Sequence, residues 1–385
     1  MAPRHTTASR LVPLDVLRAV ALLLVLGRHL PEFAPGGLPL GFAELARVWQ
    51  RGGWMGVDLF FVLSGFLISG LLFREHSETG RIRIGRFLIR RGFKIYPPFY
   101  FLLGAITLLA AVQGTAIPAG SWWSEALFVQ NYGPAFFPHS WSLAVEEHFY
   151  LLLPLLLALF AWRGTKRDDP FALLPRFFVM IAIVVLAGRV AVAMSSPFSY
   201  KTHLFATHLR IDSLLFGVVL SYWHFYKREA LEQFMSRFGR PLTLAAALLF
   251  LPPFLFDLRS TPWLSTAGLS GLYLASGLTL LLALRSSVLA SRAVTPLAFL
   301  GAHSYSIYLW HIPIRFVGLN WLKQFVTLSP LATAGVYLGA SIAIGIAMTW
   351  FIETPALALR ARLFRRPAPG KKDAADPLPV CGHPA

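Results

Sequence analysis

The stretch LDVLRAVALLLVLGRH, residues 14–29, is apolar enough to enter a membrane, yet it carries Asp15 and Arg18 and closes on His29. A charged group at membrane depth costs about 2.5–3.5 kcal/mol on insertion scales unless it faces a protein interior or a wet cavity. Helix geometry gathers the three polar groups on one face. The 11 residues from Arg18 to His29 make three turns plus roughly 20°, a rise of about 16 Å, and Asp15 lies three residues before Arg18, on the same face. A helix facing lipid would not collect its polar groups in one stripe. This face looks inward, which predicts an all-α bundle built inside a membrane.

Composition agrees. Of 385 residues, 56% are hydrophobic and 14% charged, and mean hydropathy is +0.60; a soluble chain carries about 25% charged residues. About ten apolar runs can span a hydrocarbon core of ~30 Å. They lie near residues 11–30, 56–73, 96–114, 141–162, 172–195, 207–226, 240–257, 264–284, 294–317 and 331–352. The first is no cleavable signal peptide, because Asp15 and Arg18 interrupt it. The expected organisation is a short N-terminal segment (1–10), one transmembrane domain (11–357) and a basic, disordered tail (358–385).

The net charge of +17 does not indicate nucleic acid, because its distribution follows membrane topology. With the N-terminus in the cytoplasm, the basic segments 74–94, 163–169 and 227–229, then Arg237, Arg240, Arg285, Arg292 and the tail, all fall inside. Residues 101–139 contain no Lys or Arg. That asymmetry predicts both termini cytoplasmic, in a bacterial-type inner membrane whose anionic lipids are the first partners. The single cysteine, Cys381, excludes intramolecular disulfides and a Cys metal cluster, and no metal is expected.

Several further stretches carry candidate chemistry. GVDLFFVLSGFLISGLLF (56–73) opens on Asp58, where a carboxylate suits the helix N-terminus. Ser64 and Gly65 lighten its middle, either for close helix packing or to let a thin substrate arm pass; Ser64 has no base near it in sequence and no nucleophile elbow around it. RIRIGRFLIRRGFKIYPP (81–98) spaces Arg86, Arg90, Arg91 and Lys94 so that a helix would project a basic stripe, suited to a phosphate-rich cytosolic ligand. HSWSLAVEEHFYLLLPLLL (139–157) places Trp141 at the outer interface and brings Glu146 and Glu147 into the membrane about 100° apart. Glu146 is thereby a candidate to orient His29 as a general base. HLRIDSLLF (208–216) offers Arg210 and Asp212 as a structural ion pair, and GAHSYSIYLWHIPI (301–314) sets Ser304, Tyr308 and His311 on one face.

Taken in order, these stretches resemble the integral-membrane acyltransferase-three family of sugar and polysaccharide O-acyltransferases. Arg18 and His29 match its basic residue, ten-residue gap and histidine. GVDLFFVLSGFLI matches its second signature, Arg91-Gly-Phe-Lys94 its Arg-x-x-Arg loop with lysine in the second place, and Trp141-Ser142-Leu143 with Glu146 its Trp-Ser-Leu…Glu signature. SYSIYLWH and IETP complete a match over residues 11–357. The SGNH-hydrolase-like domain fused to many members is absent from the sequence.

The resemblance implies acyl-CoA, acetyl-CoA first, as a cytoplasmic donor substrate, with no permanently bound cofactor. The acceptor would be a hydroxyl of an extracytoplasmic glycan, glycolipid or small glycosylated molecule. Arg86, Arg90, Arg91 and Lys94 would hold the CoA phosphates, and the pantetheine arm would pass between the first two spans. His29, oriented by Glu146, would deprotonate the acceptor, while Arg18 steadied the thioester carbonyl. Asp15, Ser64, Gly65, Trp141, Ser142, Tyr308 and His311 would support the site. The rival from another class is a transporter or flippase for an acylated glycan or organic anion, since intramembrane Asp15, Arg18, Glu146 and Glu147 suit a polar pathway too.

Overall fold

The structure, a computed structural model, describes residues 12–32, 40–164 and 169–364. The N-terminal ten residues and the tail beyond 364, with Cys381, lie outside them. Every element among the described residues is helical: α1 (Val12–Arg28), α2 (Leu40–Gly52), α3 (Gly56–Thr79), α4 (Ile84–Val112), α5 (Ala119–Ala126), α6 (Trp141–Arg163), α7 (Leu174–Ser195) and α8 (Ile211–Tyr226) form the first part. The second comprises α9 (Arg228–Phe250), α10 (Pro252–Leu255), α11 (Leu269–Arg285), α12 (Thr295–Ala302), α13 (Ser304–Pro313), α14 (Leu319–Leu322), α15 (Pro330–Met348) and α16 (Thr354–Leu363). The helix α16 runs to Leu363, past residue 357, where the tail was expected to begin.

Seven helical stretches among the described residues are long and apolar enough to cross a membrane, against the ten runs expected. The three others are shorter or broken. The run at 11–30 forms the 17-residue α1 and that at 207–226 the 16-residue α8; such helices rise about 24–26 Å, short of a full hydrocarbon core. The run at 294–317 breaks at His303 into α12 and α13. The basic stripe is also not a loop before the next span: it forms the first turns of α4, which continues through Pro97 and Pro98. The chain is a multi-pass membrane protein.

The stretch containing α3 is the most enclosed, with 72% of its most apolar window buried, against 11% for α7 and for α9, which present their apolar side chains outward. α3 packs chiefly on α8, and α1 on α12 and α3. Glycine sets the closest approaches. A Cβ on Gly65 would stand 2.0 Å from the Leu214 carbonyl oxygen, one on Gly217 2.2 Å from that of Val62, and one on Gly301 1.7 Å from that of Asp15. Gly65 is therefore a packing residue facing α8, and no substrate arm passes beside it; small residues are how membrane helices bring backbones together.

Two buried ion pairs tie the start of α8 to its neighbours, one to α3 and one to α7. Arg210 donates to Asp58 at 2.7 Å, and Arg189 to Asp212 at 2.5 Å. All four side chains are essentially inaccessible. The expected Arg210–Asp212 pair does not form. Arg210 lies just before α8 with non-helical backbone, and each residue finds its partner on another element, Arg210 on α3 and Asp212 on α7.

Breaking one of these pairs should cost far more than it contributes, because the survivor is a buried uncompensated charge. Asp58→Asn is expected to lower stability by roughly 3–5 kcal/mol, seen as a lower thermal midpoint in detergent, and the double variant Asp58→Leu/Arg210→Met should recover most of the loss. Gly65→Ala should also lower the midpoint, because α3 and α8 must part to admit a methyl group; an unchanged midpoint would refute the packing role.

Candidate active site

A first cavity, about 120 Å³, opens between α1, α3, α4, α6 and α13. Three cations reach its wall: Arg18 from α1, and Arg91 and Lys94 from successive turns of α4. Arg18 lies 3.5 Å from Asp15. Lys94 is ion-paired with Glu353, which also accepts from Ser306 at 3.2 Å, so the IETP segment closes onto α4. Arg91 lies over the ring of Tyr150 at 5.9 Å. Opposite stand the two carboxylates of α6. The Tyr150 hydroxyl donates to Glu146 at 2.8 Å, and since its one proton is thus used, Ser64 donates to the Tyr150 oxygen at 2.5 Å. Glu147 accepts from Tyr96 at 3.0 Å and keeps its second oxygen, Oε1, buried without a partner.

A second cavity, about 850 Å³ and open at its mouth, adjoins the first; Val57 and Tyr308 line both. His29 lies on its wall beside His139. Three imidazoles meet behind that wall, His311 with its ring centre 5.0 Å from those of both His29 and His139. Their tautomers follow from their partners. A carbonyl can only accept, so His311 Nδ1, 2.5 Å from the Tyr308 carbonyl oxygen, carries a proton and leaves Nε2 as an acceptor. His29 Nδ1 lies 3.2 Å from that Nε2 and 3.1 Å from the Val25 carbonyl, and must be protonated to bond to either. The His29 Nε2 then bears a lone pair, and it has no protein partner among the described residues. An imidazole held in one tautomer with its basic nitrogen free is the arrangement a general base requires. Tyr308 is fixed in turn, donating to the His139 carbonyl at 2.8 Å and accepting from Ser142 at 2.6 Å.

The structure thus sorts the residues singled out from sequence. Arg18, Arg91, Lys94, Ser64, Ser142, Glu146 and Tyr308 line the first cavity, and His29, Trp141 and Tyr308 the second. The His29–Glu146 pair is not formed: His311 orients His29, and Glu146 is bonded to Tyr150 one turn along its own helix. Arg18 sits with the cations of the first cavity, about 16 Å down α1 from His29, rather than beside that imidazole. Arg86 pairs with Glu75 at 3.6 Å, and Arg90 is exposed; neither lines the cavity. Trp141 is stacked on Phe205 with ring centres 4.8 Å apart. His139 and Tyr150 were missed, although both lie in the HSWSLAVEEHFY stretch. Their signal was a histidine two residues before Trp141 and a tyrosine one turn after Glu146, spacings that matter only once the partners are known.

The acyltransferase-three family, described as an acyltransferase domain, matches residues 12–350. A provisionally named O-acetyltransferase of Staphylococcus aureus (strain COL) is 30% identical over 376 residues, covering 90% of this chain and 57% of the relative. O-acetyltransferase OatA of Staphylococcus aureus (strain NCTC 8325 / PS 47) is 27% identical over 322 residues, 78% of this chain and 50% of the relative. The chain therefore spans about half the length of these curated relatives. No solved structure matches it. With the family's profile covering residues 12–350 of 385, the chain belongs to the integral-membrane acyltransferase-three family.

Proposed function

We propose that this protein is a membrane O-acyltransferase that moves an acyl group, acetyl in the first instance, from acyl-CoA to a hydroxyl of a glycan or glycoconjugate. The observation that carries the reading is the pair of adjoining cavities, one lined by cations and the other by a histidine with a free basic nitrogen. The names of the relatives support the acetyl group. Arg91, Lys94 and Arg18 suit the phosphates and carbonyls of a CoA arm entering the first cavity from the cytoplasmic side, with both termini on that side of a bacterial-type inner membrane.

The chemistry follows from His29. The acceptor hydroxyl donates to His29 Nε2, which takes its proton as the oxygen attacks the thioester carbonyl. The new C–O bond forms as the C–S bond breaks, and the proton on Nε2 passes to the departing thiolate of CoA. The contact of His29 Nδ1 with His311 and Val25 keeps the ring aimed and stabilises the transient imidazolium.

His29→Ala should retain normal membrane insertion and lose acyl transfer by about 10²–10⁴-fold, the usual worth of a positioned general base. His311→Ala should lower kcat by roughly 10²-fold with acyl-CoA affinity unchanged, since it acts through His29. Arg91→Gln and Lys94→Gln should instead raise KM for acyl-CoA, more strongly at low salt. Release of CoA from acetyl-CoA by purified protein, with a panel of sugar acceptors, checks all three. Saturable flux of an acylated glycan with no thioester consumed would establish a transporter instead.

A further inference from the structure

The mouth of the second cavity holds a concentration of positive charge that the transfer chemistry does not use. Arg28, Lys201 and Arg259 line it, and among the described residues no carboxylate does. Arg28 and Arg259 converge on one phenol: the Tyr200 oxygen accepts from Arg28 at 2.9 Å and from Arg259 at 3.3 Å. Both guanidinium groups also lie within 6 Å of the Tyr200 ring centre. Like charges are thus drawn together about one neutral oxygen, and none of the three cations is ion-paired among the described residues. Asp257 accepts from the Arg259 backbone N–H at 2.8 Å, through the main chain rather than the guanidinium. The charge is also out of place for topology, since these cations lie at the end of the bundle opposite the basic segments that the positive-inside asymmetry explains.

Two further features point to a ligand. Arg210, 1% exposed, lines the same cavity with its Nε unpartnered, and Trp54 Nε1 is a second buried donor without an acceptor. Beside them runs an aromatic wall, with Trp141 parallel to Phe205 and Phe205 in turn stacked toward Tyr200 at 6.4 Å. Flat aromatic faces take the apolar face of a sugar ring, and paired guanidinium groups take a phosphate or carboxylate.

We infer that the second cavity is an acceptor site for an anionic glycan, its sugar resting on the aromatic wall and its phosphate or carboxylate held by Arg28, Arg259 and Lys201. This deepens the transferase reading and rests on it for the word acceptor, but the anion site can be tested without turnover. The purified full chain is titrated with glucose 1-phosphate, glucuronic acid and methyl glucoside as matched probes, in detergent with and without phosphatidylglycerol, while thioester consumption is followed separately. The charged sugars should bind tighter than the neutral one, and rising salt should erase the difference. Arg259→Gln should weaken the charged probes about tenfold, the loss of one charge-assisted hydrogen bond, and the exposed Lys201→Gln should act in the same direction, with acyl-CoA affinity unchanged in both. Phosphate against carboxylate selects between the two anions. Equal binding of charged and neutral sugars, displacement of glucose 1-phosphate by phosphatidylglycerol or acyl-CoA, or variants that weaken acyl-CoA alone would each overturn the inference. Absence of thioester consumption with the charge preference intact would instead remove the transferase reading and leave the anion site standing.

Discussion

No water reaches the inside of a bilayer to solvate Asp58, Arg189, Arg210 or Asp212, so each must meet its opposite charge on another part of the chain. The two pairs that result join α3 to the entry of α8, and α8 to α7. Gly65 and Gly217 let the α3 and α8 backbones close around that core. The site depends on this constraint. Consecutive helical residues point about 100° apart, so once Gly65 faces α8, Ser64 must face the cavity with Glu146 and Tyr150. One face of α3 is committed to packing, and the next is free for chemistry.

The same polarity runs through four helices at once. Along α1 the order is Arg18, then Val25, Arg28 and His29; along α13 it is Ser304 and Tyr305, then Tyr308 and His311. Helices α3 and α6 run the other way, from Val57 toward Ser64 and from Trp141 toward Glu146 and Tyr150. Antiparallel packing therefore stacks one cavity on the other, with Val57 and Tyr308 at their junction. An arrangement of this kind suits a reaction whose two substrates come from opposite faces, because each can be held by its own set of groups while only the reacting ends meet. It also explains why the carboxylates and the histidine lie in different chambers. Glu146 and Glu147 stand among Arg18, Arg91 and Lys94, whereas the immediate partners of His29 are the His311 ring and the Val25 carbonyl, which leave its other ring nitrogen without a partner among the described residues.

Much of this was legible in the residues. A stripe of Asp15, Arg18 and His29 on an apolar helix can only be inward-facing, and the structure places all three on the interior side of α1. The periodic cations of 86–94 do form a helix face, although only Arg91 and Lys94 reach the cavity. What failed were the pairings. Glu146 was matched to His29 and Arg210 to Asp212 because they were the nearest suitable partners in function or in sequence, whereas the partners in space lie on other helices or along their own. Seven of the ten apolar runs form helices long enough to span by themselves; hydropathy reports apolar composition, and α1, α8 and the broken α12–α13 segment are lined by protein and need not match the thickness of the hydrocarbon by themselves.

Sequence by itself determined the solvent, the helical class, the inward direction of the polar stripes and the membership of the family. Those properties are local, since composition, a 3.6-residue period and short motifs carry them. Tertiary structure alone decided which imidazole orients His29, which cations share a chamber with the carboxylates, and that Arg28 and Arg259 meet on Tyr200. Each of these is a contact between residues tens to hundreds of positions apart, selected because a low-dielectric interior leaves every buried donor and acceptor to find its complement wherever the packing of glycine-lined helices brings one within reach.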